Sequence, residues 1–184
     1  MMEQFTEEEK SDIKRVKNII RWNLFDYLEP KVKSHYNSMF LSGGCIASLI
    51  QGDKPKDWDV YFYDQKTQIA VIDMFVADYK DEIEIIDEKY RQVTSQEQLC
   101  ITENATTLKN NIQLITKHTG TPDDVRATFD FVHCKPYYDF GIDVLYISKE
   151  QYDLCKNKIL KINNMKAQTT WRQSKFEQRG YKWP

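Results

Sequence analysis

At 184 residues, with 41% apolar and 29% charged side chains, the chain can fill the core of one globular domain with a small appendage. A formal net charge of −2 provides no general basic field toward nucleic acid or an anionic membrane. No apolar run approaches the roughly 20 residues of a membrane-spanning helix, and the polar, acidic start MMEQFTEEEK is unlike a secretory signal or transit peptide. A cytoplasmic protein is expected, in the host cytoplasm if its source is viral.

The elements follow in chain order. Thr6-Glu7-Glu8-Glu9 reads as a capping box opening a long helix, along which Ile13, Val16, Ile20, Leu24 and Tyr27 recur at helical spacing until Pro30 ends or kinks it. A short strand, Ser38 to Leu41, runs into Ser42-Gly43-Gly44, and a short apolar helix spans Cys45 to Ile50. A turn at Gly52-Asp53-Lys54-Pro55 precedes a strand that opens with Asp57-Trp58-Asp59 and continues through Val60–Tyr63. Thr67 to Tyr79 predicts a helix with Ile69, Ile72, Phe75 and Val76 on one face, and the alternation of Glu82 to Ile86 is that of a strand.

A polar loop is expected over Glu88 to Gln98, then strands near Leu99–Thr102 and Asn111–Thr116. Thr121-Pro122-Asp123-Asp124 carries an N-cap followed by proline at the first helical position, so a short helix runs to about Ala127. Strands are expected over Phe129 to Cys134 and Ile142 to Ile147. Ser148 caps a helix bearing Tyr152, Cys155, Ile159 and Leu160, and a basic helix with an aromatic end fills Thr169 to Pro184. Irregular alternation of strands and helices argues an α/β (α+β) fold, a small mixed sheet with helices packed on it. Three parts are expected: a helical segment at 1–37 packed on a core at 38–147, and closing helices at 148–184.

The chemistry concentrates between Phe40 and Tyr63. Strand residues alternate faces, so Asp57 and Asp59 project together, and paired carboxylates with oxygen donors suit Mg²⁺. Beside them, Gly43-Gly44 at a helix N-terminus lets a phosphate approach backbone N–H groups. A phosphate cradle next to a magnesium pair is what phosphoryl or nucleotidyl transfer needs. Cys45, Cys100, Cys134 and Cys155 form no CxxC pair and read as free thiols. His35, His118 and His133 have no metal-ligand spacing, and His133 reads as a hydrogen-bonded core histidine. Metal binding therefore rests on carboxylates.

With Gly43-Gly44, Ile50-Gln51-Gly52 and Pro55-Lys56-Asp57-Trp58-Asp59 at matching spacing, the segment resembles the nucleotidyltransferase superfamily built on the polymerase-β palm. It is most similar to the head of CCA-adding enzymes and bacterial poly(A) polymerases. Thr128-Phe129-Asp130-Phe131-Val132-His133-Cys134 echoes that head's RRDFTINA, and Arg172-Gln173-Ser174-Lys175-Phe176 its RAxRF helix. The departures are Ala47-Ser48 for Arg-Asp, and two missing arginines before Asp130, with Arg126 nearby in another register. The pattern is also similar to uncharacterised phage nucleotidyltransferase-like proteins. The RNA-binding body of CCA-adding enzymes is not expected in a chain of this length.

The resemblance implies transfer of NMP from an NTP to an acceptor hydroxyl on RNA, protein or a small molecule. Asp57 and Asp59 would hold Mg²⁺ with a third acid, Asp130 first and Asp143 second. Gln113 stands where those enzymes often carry Glu. Ser42, Gly43, Gly44, Lys56 and Arg126 would bind the nucleotide with Arg172, Lys175 and Arg179, whose spacing shares one helix face. That face reads either as solvated or as substrate-facing. Trp171, Tyr181 and Trp183 either cover the core's open edge or stack a base. The alternative is a fold that has lost turnover and binds nucleotide or a partner.

Overall fold

The computed structural model describes residues 4–87, 90–93, 99–166 and 169–184. Thr6 caps α1 (Glu7–Val32) through a capping box with Glu9. Its apolar positions fall four apart, so Val16, Ile20, Leu24, Leu28 and Val32 form one buried stripe. Pro30 does not end the helix. It lies within the last turn, where a missing N–H costs little continuity, and α1 runs on to Val32.

After a 3₁₀ turn come β1 (Met39–Ser42), α2 (Gly44–Ile50), β2 (Trp58–Phe62) and α3 (Gln65–Val76). Of the expected apolar face of α3, Phe75 is buried and Ile72 and Val76 pack against the core, whereas Ile69 is 51% exposed; Gln68 and Val71 are buried beside them. Asp64 caps the helix by accepting from Thr67 N, and in the resulting phase Gln68 Nε2 donates to the Ile115 carbonyl at 2.8 Å.

The chain then forms β3 (Ile83–Asp87), β4 (Tyr90–Val93), β5 (Cys100–Ile101), β6 (Ala105–Leu108) and β7 (Ile112–Thr119). Within the expected loop Glu88–Gln98, residues 90–93 are therefore strand, and the rest of that loop lies outside the described residues. Next come α4 (Pro122–Ala127), β8 (Tyr137–Asp139), β9 (Val144–Tyr146), α5 (Lys149–Lys156) and α6 (Thr170–Glu177). The sheet order is β3-β4-β5-β6-β7-β2-β1-β8-β9, with β2 and β7 parallel and the other described pairings antiparallel.

Alternation divides β1 and β2 between two faces. Met39, Leu41, Trp58, Val60 and Phe62 enter the main core, which α1, α2 and α3 cover. Phe40 and Tyr61 pack on the opposite face with Val125 of α4. Asp59 shares that opposite face with Tyr61. The site is thus built on the side of the sheet away from the long helix.

Phe129 to Cys134 was expected as a strand and is instead an irregular crossing. Only Phe131 bridges to Ile162, and Val132–Cys134 is a 3₁₀ turn. Asp130 explains the break: its carboxylate accepts from Phe131 N at 3.1 Å, and its carbonyl accepts from Asn163 N at 2.7 Å. Against this crossing the C-terminal chain packs Leu160, Phe176 and Tyr181. No helix among the described residues is long and apolar enough to cross a membrane.

Candidate active site

Gly43 turns the chain from β1 into α2 with φ 101° and ψ −163°, a backbone that side chains rarely tolerate. A Cβ there would also lie 3.0 Å from Asp59 Oδ2. The glycine turn and the carboxylate are therefore in direct apposition, and this contact requires Gly43. Its N–H donates to the Cys134 carbonyl at 3.1 Å, so it is not available to a phosphate. Gly44 and Cys45 follow at the first turn of α2, lining the cleft, where helix geometry leaves N–H groups without intrahelical acceptors.

Asp57 and Asp59 line the same cleft of about 210 Å³. Asp57 is exposed and Asp59 half-buried. Burial, followed by the charge of Asp57, pushes the Asp59 carboxyl up to about 6, while Lys175 and Arg172 oppose the rise. The carboxylate is held in a place where it lacks a full counter-charge. Directly across the parallel ladder from Asp59 stands Gln113 of β7, which also lines the cleft. A neutral amide therefore occupies the position closest in register to the carboxylate pair.

The facing wall comes from α6. Arg172, Lys175 and Arg179 all line the cleft, with Phe176 buried beneath them, so this face of the helix is turned to the site rather than to open solvent. Lys175 is held below its ordinary value, first by burial and then by Arg179 and Arg172. Among the described residues no ion pair engages Lys56, Lys175 or Arg179. Arg172 differs. Its Nε donates to Asp130 Oδ2 and its Nη2 to Oδ1 at 3.3 Å, and this bonding raises the Arg172 pKa. Asp130 is 1% exposed. It lines the cleft, but with its charge already matched.

The remaining sequence candidates lie elsewhere or are engaged. Ser42 is buried, its hydroxyl donating to the Pro136 carbonyl at 2.9 Å, and it does not line the cleft. Arg126 is held by the carbonyls of Pro122 and Lys135 and by Asp123, and lies 4.4 Å over the Tyr137 ring. It too is absent from the cleft wall. Asp143 sits in a left-handed turn on the far edge, accepting from Tyr138 at 2.6 Å and paired with Lys17 and Arg21 of α1. His133 is a core histidine without the expected hydrogen bonds: neither ring nitrogen has a partner among the described residues. It packs against Phe131, Phe176 and Tyr181, and burial lowers its pKa to about 3, so it stays neutral.

The described residues contain no group of three or more acidic, histidine or cysteine side chains placed to hold a metal ion. Two carboxylates remain, Asp57 and Asp59. That donor set fits Mg²⁺, which binds through one or two carboxylates and takes its other ligands from phosphates and water. Gln113, Cys45, Tyr61 and Phe129 also line the cleft. Of these, Gln113 was visible in the sequence as a position, and the alternation of β7 gives its face.

A family model described as Gad2, Gabija anti-defense 2 family protein, matches residues 14–158. No curated protein matches. Among solved structures, the Thermotoga maritima CCA-adding enzyme complexed with tRNA aligns at a TM-score of 0.60 and 16% identity, covering 94% of this chain and 42% of that one. A CCA-adding enzyme complexed with ATP aligns at 0.58 and 19% identity, covering 100% and 43%. The Bacillus stearothermophilus CCA-adding enzyme with CTP gives 0.52 and 12%, covering 89% and 40%. The chain thus spans about two fifths of these structures and shares the nucleotidyltransferase fold with them.

Proposed function

The chain belongs to the Gabija anti-defense 2 family, and from that premise we propose that it counters Gabija defence as a magnesium-dependent nucleotidyltransferase. It would transfer NMP from an NTP, ATP among them, to a hydroxyl of a protein, RNA or small-molecule acceptor. The observation that carries this reading is the cleft itself: Asp57 and Asp59 on one wall, and around it Lys56, Lys175 and Arg179, which form no ion pair among the described residues. A site needing only structural charge balance would pair these groups. Here they are held apart, as sites for a cation and a polyanion.

Each residue then has a role. Asp57 and Asp59 hold the divalent ion, which when bound lowers the pKa of an attacking hydroxyl and stabilises charge on the phosphates. The first-turn N–H groups of α2 and the three cations take the triphosphate. Gly43 leaves the space beside Asp59 that a Cβ, 3.0 Å from its Oδ2, would close. Arg172, oriented by Asp130, would add a fixed positive charge to the cleft wall.

A second reading is a nucleotide-binding antagonist without turnover. It is favoured by Gln113 and by the Arg172–Asp130 pair, which leave two carboxylates instead of three. One experiment separates the readings. A strain bearing Gabija defence is challenged with and without wild type and the Asp57→Ala, Asp59→Ala variant, while lysates are labelled with [α-³²P]NTPs. Loss of both labelling and anti-defence in the variant supports transfer. Anti-defence retained without labelling supports binding alone.

A further inference from the structure

A second cavity, of about 640 Å³, adjoins the cleft and shares Tyr61, Phe129, Asp130 and Arg172 with it. It lies over the β7 side of the sheet, with Lys117 on one wall and Lys166 on the other. On the opposite flank of the cleft is a third depression, lined by Lys56, Lys175, Arg179 and the 67% exposed Trp171. The three lie in series, with the carboxylate pair in the middle.

We propose that the Lys117–Lys166 trough is the acceptor site, and that it takes an acidic protein segment presenting a hydroxyl side chain. The proposal rests on the nucleotidyl-transfer reading and adds a direction to it. In-line displacement at phosphorus requires the attacking and leaving oxygens on opposite sides. The cations without acidic partners, Lys56, Lys175 and Arg179, gather on the Trp171 side and draw the leaving pyrophosphate there. The acceptor therefore enters from the other end, through the trough. Its hydroxyl oxygen bonds to the α-phosphorus of the NTP, and the bond from that phosphorus to the bridging oxygen breaks with the electron pair leaving on pyrophosphate. The hydroxyl proton passes to solvent.

Charge selects the acceptor class. Among the described residues Asp130 is the one acid lining the trough and is already matched by Arg172, so Lys117 and Lys166 leave the wall positive in a chain of net charge −2. His118 adds no charge at neutral pH, since burial and then Lys117 lower its pKa. Two lysines make a spot rather than a track, and the exposed Glu103 adjoins Asn104 at the rim. A polynucleotide, with a phosphate on every residue, gains its affinity from a longer run of cations. A short acidic peptide matches what is present.

The test uses fluorescein-labelled poly(Glu,Tyr) as the probe, read by anisotropy at low salt. Wild type should bind it, and binding should weaken as salt is raised. The Lys117→Glu, Lys166→Glu variant should bind about tenfold more weakly, and Lys117→Gln, Lys166→Gln should fall between. Affinity of the reversal variant for ATP in the presence of Mn²⁺ should be unchanged. Equal binding of poly(Glu,Tyr) by wild type and both lysine variants would overturn the trough, as would tighter binding of a single-stranded RNA 20-mer or of poly(Lys,Tyr). Charge-dependent binding without transfer of label from [α-³²P]ATP to the bound peptide would overturn the acceptor role of the trough, while the lysate labelling tests nucleotidyl transfer independently.

Discussion

The two walls of the cleft treat their acids in opposite ways. On the sheet wall, Asp57 stands just before β2 and Asp59 within it, and half-buried Asp59 forms no ion pair among the described residues, its carboxyl pushed up to about 6. On the C-terminal wall, Asp130 is more deeply buried but receives Arg172 from 42 residues away. An ion pair formed within the fold makes Asp130 part of the architecture, fixing α6 over the site. Under the proposed function, the carboxylate pair that lacks such a partner would instead hold an ion the protein does not supply. Burial alone does not distinguish the two; the presence of a partner does.

The largest effect that would break this comparison is on activity. Asp57→Ala with Asp59→Ala should lower nucleotidyl transfer by more than about a hundredfold, since even partners one shell outside a metal cost 10–100-fold. The same variant should melt no lower than wild type, because it removes a repulsion. A stability loss would instead place these acids with Asp130. On the other wall, Arg172→Ala leaves Asp130 buried and unpaired. Loss of one partner of a fully buried pair costs about 3–5 kcal/mol, and with Arg172 half exposed about 1–3 kcal/mol is expected from urea melts. Adding Asp130→Asn should recover part of that loss, and a double-mutant cycle measures the coupling.

The walls also differ in how far the sequence announces them. The sheet wall is a contiguous string, Gly43 to Asp59, in which a strand, a glycine turn and alternating acids fix the geometry locally. Its reading carried the fold class as well. The opposite wall depends on contacts no local pattern encodes. Asp130 between two phenylalanines looks like a strand acid, yet the chain breaks at that point because Asn163 binds its carbonyl. Arg126 lies close in sequence to Asp130 but is taken by carbonyls and by the Tyr137 ring. The stripe Arg172, Lys175, Arg179 had the right spacing, but only the docking of Phe176 into the Leu160–Tyr181 cluster determines which way it faces. β4, β6 and β8 were missed for a related reason: each is four residues or fewer and is held by its neighbours in the sheet.

Gln113 offers a way to sharpen the contrast, because it belongs to the sheet wall by register and to neither acid by charge. Gln113→Glu places a third carboxylate beside the pair. Mn²⁺ affinity, followed by electron paramagnetic resonance, should rise by about tenfold, corresponding to about 1.4 kcal/mol. If the affinity stays flat while the protein loses stability, the position faces Asp59 without reaching the ion.

The smallest expected effect concerns Asp59 itself in the metal-free protein. Its folded-state pKa of about 6 lies above the ordinary value of 3.8, so as pH rises between these values the unfolded chain gives up its proton first. The native state binds more protons in that window, and stability falls as pH rises through it. Asp57→Asn removes the second cause of the shift but leaves the first, burial, in place. The fall should therefore shrink without vanishing when urea melts in EDTA are compared at pH 4.5 and pH 7. Adding Mg²⁺ at pH 7 should restore the lost stability in wild type and less in Asp57→Asn, because the ion acts on the repulsion that this variant has already removed. An acid stabilised by Mg²⁺ and another stabilised by an arginine then respond to different variables, pH and metal for Asp59 and the Arg172 side chain for Asp130.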